Sequence, residues 1–155
     1  MIEIRKASTG DIEELVRMRM AYLQADYGEI SEAEKEQVES MLPNYFCGHL
    51  NRDLFAYVAC DGEHIAATVF LYISEKPANP HNLMGKMGEV LNVYTEPDYR
   101  RQGLSEQLIR KMLSDAGEWN LSAVILQSTD MGKALYKKVG FQEEISKYTA
   151  MRYEF

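Results

Sequence analysis

Cysteine is scarce in this chain, with two in 155 residues, and Cys47 and Cys60 lie far apart with no metal-ligand spacing. That scarcity excludes a disulfide framework and a cysteine-built zinc site; both residues sit in apolar contexts and are expected as buried free thiols. The three histidines, His49, His64 and His81, are scattered too, so no metal centre is expected. Apolar runs stay far short of the ~20 residues that cross a bilayer. Met1 to Lys6 lacks the apolar stretch of a signal peptide, so a cytoplasmic location without a membrane partner is the expectation. Positive charge is also in deficit, 17 Lys and Arg against 24 Asp and Glu for a net charge of −7. Nonspecific nucleic-acid binding, which relies on neutralising phosphates, is therefore disfavoured. Several enzyme motifs are missing. Gly103-Leu104-Ser105-Glu106-Gln107 has no final glycine of a nucleophile elbow, and Gly132-Lys133-Ala134 is not the end of a P-loop.

What remains is a globular composition, 46% hydrophobic and 26% charged, sized for a single domain over residues 1–155 with a genuine core. Ile2 to Lys6 alternates as a half-buried strand. Asp11 with Glu14 and Ser31 with Glu34 read as helix starts. Ile12, Leu15, Val16 and Leu23 stripe the first helix to about Asp26. Val38, Met41, Leu42, Tyr45, Phe46 and His49 stripe the second, which Pro43 is expected to kink or split. Leu54 to Cys60 and His64 to Ile73 read as a hairpin about Asp61-Gly62. Lys76 to Gly88 reads as a loop, Glu89 to Thr95 as a buried strand, Gly103 to Glu118 as a helix, and Leu121 to Gln127 as a strand. A short helix from Gly132 to Val139 closes at Gly140. Phe141 to Ile145 and Tyr148 to Phe155 are expected as a second antiparallel pair. The fold class is thus α/β: a mixed, twisted sheet flanked by helices, with a right-handed parallel β-α-β crossover at its centre.

The densest information lies in Val93-Tyr94-Thr95-Glu96-Pro97-Asp98-Tyr99-Arg100-Arg101-Gln102-Gly103-Leu104-Ser105. A strand ends at a proline, a basic turn follows, and small residues open an amphipathic helix. Free N–H groups and a positive dipole end make that helix start an anion site, most naturally for a phosphate or diphosphate. Ligands in such sheets sit beyond the carboxyl ends of the parallel strands, where Gln127 to Tyr136 also falls. Taken alone, the turn reads equally as a packing device, and Tyr136 as a buried aromatic. Together and in order around one crossover they are far more specific.

These segments resemble the GNAT superfamily of acetyl-CoA-dependent N-acetyltransferases. The family's diphosphate signature, Arg or Gln, two of any kind, Gly, one of any kind, then Gly or Ala, reads here as Arg100-Arg101-Gln102-Gly103-Leu104-Ser105, with a small serine in the last place. Its second segment reads as Thr129 to Phe141, with Thr129 where asparagine is common. The resemblance implies acetyl-CoA as cofactor, held by Arg100, Arg101, Gln102, Gly103, Leu104, Ser105 and Glu106 at the diphosphate. Val93, Tyr94 and Thr95 would line the pantetheine arm as an added strand does, with Thr129 and Lys133 also in contact. A backbone N–H would polarise the thioester carbonyl.

The resemblance also implies an acetyl transfer to a primary amine in a ternary complex, the acceptor being a small molecule or a peptide amine. Tyr136 would protonate the departing thiolate; its phenol at ~10 is closely matched to a thiol at ~8.5. Glu89 reads either as the general base, directly or through water, or as an exposed strand-end carboxylate. Asn92 either lines the acceptor cleft or satisfies a neighbouring strand. Tyr22, Asp26, Tyr27 and Glu29 either contact the acceptor or form a solvated helix end. Lys133, Lys137 and Lys138 either approach the 3′-phosphate or stay solvated. A homodimer through the C-terminal strands is a family-level expectation. The rival readings are a non-catalytic acyl-CoA-binding or regulatory module, which would have lost Tyr136, and an interaction scaffold, which would have lost the turn.

Overall fold

Alternation, capping and turn chemistry produce most of the expected elements in the computed structural model, which describes residues 1–155. In chain order they are β1 (Ile2–Lys6), α1 (Ile12–Tyr27), α2 (Glu32–His49), β2 (Leu54–Asp61), β3 (His64–Glu75), β4 (Lys86–Thr95), α3 (Leu104–Ala116), β5 (Ala123–Ile125) and α4 (Lys133–Val139). The sheet is five-stranded in the order β1-β2-β3-β4-β5. Neighbours are antiparallel through β4, and β4 pairs in parallel with β5. The mixed sheet with a β4-α3-β5 crossover is therefore the architecture.

Both faces of β2 and β3 are covered, which is why these strands are apolar nearly throughout rather than alternating. On one face Leu15 and Met18 of α1 and Phe46 of α2 pack with Ala56, Val58, Ile65 and Phe70. On the other, Leu108, Ile109 and Met112 of α3 pack with Tyr57, Val69, Leu71 and Val90. The Tyr57 hydroxyl donates to Asp115 at 2.9 Å, so the one polar atom of that deep side chain also ties α3 to β2.

Six expectations need correction. Residues 141–155 form no strands, and Ile145, Tyr148, Met151, Tyr153 and Phe155 are exposed. Alternation of apolar residues marks a strand's potential, whereas a ladder also requires a partner edge. The strand expected over Leu121 to Gln127 shrinks to Ala123–Ile125 because its pairing with β4 stops there. The expected loop loses its last residues to β4, which begins at Lys86, so Glu89 lies inside the strand and not at its start. Pro43 neither splits nor ends α2; it faces water, where the Glu39 carbonyl it leaves without an N–H donor is open to solvent. The α2 stripe is mostly surface, with Met41 63% exposed and only Phe46 buried, and Cys47 on that helix is exposed while Cys60 is buried.

Candidate functional site

The site begins where β4 and β5 part. Their pairing runs through Met87–Ala123, Gly88–Val124 and Glu89–Ile125 and then ceases. Gly88 permits this approach, since a Cβ there would fall 2.8 Å from the Leu71 side chain and 3.3 Å from Val124. Beyond Glu89, β4 keeps β3 on one side only. Val90 to Thr95 therefore presents an open main-chain edge to the cleft, the geometry that accepts an extended chain as an added strand.

A bulge shapes that edge. The β3–β4 register slips between Thr68 and Phe70, and Asn92 takes a left-handed backbone with φ of 52°. Asn92 is buried and its polar atoms are all engaged. Its amide donates to Thr68 Oγ1 at 3.0 Å, Thr68 Oγ1 donates to its main-chain oxygen at 2.8 Å, and its side-chain oxygen accepts from Arg19 at 3.2 Å. Of the two readings of Asn92, these contacts are those of a residue that satisfies the neighbouring strand, and they also tie it to Arg19 of α1.

The turn into α3 follows. Arg101 and Gly103 both adopt left-handed backbone, with φ of 64° and 72°, an expensive choice for the arginine that turns successive N–H groups to one side. No backbone N–H from Arg101 to Glu106 has an intramolecular acceptor, and the first helical bond is Gln107 N–H to the Gly103 carbonyl. Thr95 Oγ1 and Ser105 Oγ lie 2.9 Å apart, and Arg100 Nε donates to the Thr95 carbonyl at 2.9 Å, so the strand end and helix start are pinned together. Glu106 sits in the first turn, but Lys138 at 2.9 Å and Arg110 at 3.0 Å neutralise it and hold its carboxyl below the ordinary range. The donors and dipole thus remain free to meet an anion.

Tyr136 enters from α4. Gly132 at the start of that helix makes room for it: a Cβ there would stand 2.9 Å from the Tyr136 ring and 3.2 Å from Ser128 Oγ. The ring meets Phe141 edge-on at 5.9 Å, and Thr129 Oγ1 accepts the Gly132 N–H at 3.3 Å, turning that side chain toward its own helix. Burial, with a smaller contribution from Tyr22, raises the Tyr136 phenol above its ordinary value. Tyr22 of α1 is itself raised by burial and by Asp26. Glu89 is half-buried, without a hydrogen-bond or ion-pair partner, on the last rung before the strands diverge. Asp26 and Tyr27 are exposed at the end of α1. Lys133 and Lys137 reach Glu143 at 3.0 and 3.3 Å, as surface pairs whose side chains stay exposed. Sequence reasoning missed Gly132 and Arg19; a glycine spaced by four from a helical tyrosine was the only available sign of the first.

No curated protein matches this chain. The sequence profile of the Acetyltransferase (GNAT) family matches residues 13–141. Among solved structures, an acetyltransferase from Clostridium acetobutylicum crystallised with acetyl-CoA is 29% identical, covers 98% of this chain and 96% of its own, and superposes with a TM-score of 0.85. A GCN5-related N-acetyltransferase from Ralstonia eutropha is 22% identical over 97% of this chain and 99% of its own, with a TM-score of 0.79. A ribosomal-protein-alanine N-acetyltransferase from Brucella melitensis shares the fold at 20% identity, 99% and 100% coverage and a TM-score of 0.69.

Proposed function

Because the chain belongs to the GNAT acetyltransferase family, whose members transfer acyl groups from acyl-CoA, we propose that it acetylates a primary amine of a small molecule or peptide, using acetyl-CoA. The observation that carries this reading is the unbroken run of unpartnered N–H groups from Arg101 to Glu106 beside the open β4 edge. The donors suit a diphosphate in number, direction and dipole. Bound there, acetyl-CoA supplies an acetyl group already activated as a thioester.

The chain's own residues then divide the work. Val93 to Thr95 offer main chain to the pantetheine arm, although the Thr95 carbonyl is already taken by Arg100. A main-chain N–H of this edge donates to the thioester oxygen as charge gathers on it. The amine nitrogen attacks the carbonyl carbon, and its surplus proton passes to Glu89, directly or through water. The carbon–sulfur bond breaks, and the Tyr136 O–H, which makes no hydrogen bond inside the protein, gives its proton to the sulfur. A free hydroxyl in this place favours catalysis over a module that merely binds acyl-CoA.

Calorimetric titration with acetyl-CoA tests the site, and Tyr136→Phe tests the chemistry. Saturable binding and a kcat lower by about 10²-fold in the variant are expected. Absence of binding at millimolar acetyl-CoA overturns the reading, and full turnover by Tyr136→Phe with chemistry rate-limiting removes the acid role. Since the phenol acts only while protonated and its pKa is raised, the alkaline fall in kcat should begin above the ordinary phenol range of ~10.

A second copy completes the proposal. β5 is an edge strand beside a groove of about 830 Å³ lined by Leu121, Val124, Leu126, Val139 and Phe141. The arm from residue 142 onward carries exposed Ile145, Tyr148, Met151, Tyr153 and Phe155. Exchange of these arms across a two-fold axis would cover both grooves. Sedimentation should then report a dimer that Tyr148→Asp with Phe155→Asp dissociates; a monomeric wild type rejects it.

A further inference from the structure

Three arginines of this chain are partly buried, Arg5, Arg17 and Arg19, whereas the others are exposed, and two of the three are treated alike. Arg5 grips both oxygens of Asp11 at 2.8 and 2.9 Å. Arg17 grips both oxygens of Glu14 at 2.7 Å and pairs with Glu96 as well. Arg19, two residues further along α1, has no carboxylate. It has the Asn92 amide oxygen at 3.2 Å and the Tyr22 ring, whose centroid is 5.8 Å away. A guanidinium offers five donors, and neither partner carries a negative charge. Burial lowers its pKa, opposed by Tyr22, Tyr27, Tyr45 and Asp26.

Removing a cation from water without a counter-ion is costly, and carboxylates are plentiful in a chain with 24 of them. A solvated surface arginine would need no explanation, but this one is on the cleft side of α1. It holds Asn92 at the β4 bulge and lies against Tyr22. Its missing counter-ion is therefore a property of the cleft.

The geometry points to an acceptor that carries an anionic group, a carboxylate or a phosphate, in addition to its amine, with Arg19 as the residue that pairs with that anion. This rests on the acetyltransferase reading and adds the substrate class. The Arg19 fork meets two oxygens of such a group, while Tyr22 stacks against the guanidinium and keeps it facing the cleft. The amine end of the same molecule is thereby directed toward Glu89 and Tyr136. Neutral amines would leave the guanidinium without a counter-ion, and they should be poor substrates.

The experiment uses matched acceptor pairs, with acetylation followed by thiol release. Free amino acids are set against their carboxamides, and amino-sugar phosphates against the unphosphorylated amino sugars, for the full-length protein, Arg19→Met and Arg19→Lys. Acetyl-CoA binding is measured separately for each. In at least one set the anionic member should be preferred by ~10-fold or more in kcat/KM. The preference should fall toward unity in Arg19→Met, mainly through KM, and partly survive in Arg19→Lys. Which set responds tells carboxylate from phosphate. Equal use of neutral members, a preference that persists in Arg19→Met, or no turnover of any anionic amine by protein that binds acetyl-CoA overturns the inference while leaving the cofactor site standing. Loss of acetyl-CoA binding by the unmodified protein instead removes the transferase reading beneath it.

Discussion

Two helices of this chain begin in opposite ways. At α2 the Ser31 side chain accepts the Glu34 N–H at 3.1 Å and donates to the Glu34 carboxylate at 2.8 Å, while acidic residues fill the first turn. At α3 the residue before the helix is Gly103, which has no side chain to cap with, and the N–H groups back to Arg101 are left open. A glycine in place of a capping serine costs a helix about a few tenths of a kcal/mol. The α3 end also contains an arginine in left-handed backbone, which adds a further ~1–2 kcal/mol of strain. The helix tolerates this because Leu104, Leu108, Ile109, Met112 and Ala116 are buried against the sheet, each contributing on the order of 1 kcal/mol or more. The same local chemistry thus serves stability in α2 and, in the function proposed above, a ligand in α3, and substitutions at the two starts should separate the two purposes.

The largest effect is expected from Gly103→Val. A branched side chain at φ of 72° is strained and stands over the open N–H groups. Acetyl-CoA affinity by calorimetry should fall by at least ~100-fold, the loss of several charge-assisted bonds; unchanged affinity would mean that the open start is only a turn. Ser105→Asp sharpens the contrast because its two effects oppose. A carboxylate in the first turn favours the helix dipole by about 0.3–1 kcal/mol and still accepts from Thr95, yet it repels a diphosphate. Thermal stability should rise slightly while acetyl-CoA affinity drops about 10-fold. A rise in both would place the anion elsewhere.

How much of this was legible beforehand follows the same division. The α3 start and the β4-α3-β5 crossover were readable because their signals are local: a strand, a turn with Gly103, then a striped helix. Thr129 reads as a cofactor contact by position; that its hydroxyl also accepts the Gly132 N–H depends on where Gly132 sits. The bulge at Asn92 and the bare guanidinium of Arg19 are invisible in the sequence, since the first arises only when β3 pairs with β4 and the second only when α1 is laid across them. The C-terminal arm failed for the complementary reason. Its apolar alternation is real, but β5 keeps its outer edge unpaired in a single chain.

The smallest effect should come from Ser31→Ala, and it is the control that gives the others meaning. Removing the hydroxyl leaves the Glu34 N–H without its acceptor and frees the Glu34 carboxylate that the hydroxyl had donated to. Denaturant unfolding should show a loss of about 1 kcal/mol, as for other serine caps. α2 lies on the surface with only Phe46 buried, so fraying of its first turn stays local and the cleft keeps its shape. Acetyl-CoA affinity should accordingly match the wild type within error. If Ser31→Ala weakens acetyl-CoA as well as stability, the two helix starts are coupled through the α1–α2 layer. The open α3 start would then have to be understood as part of a global balance rather than as a site built apart from it.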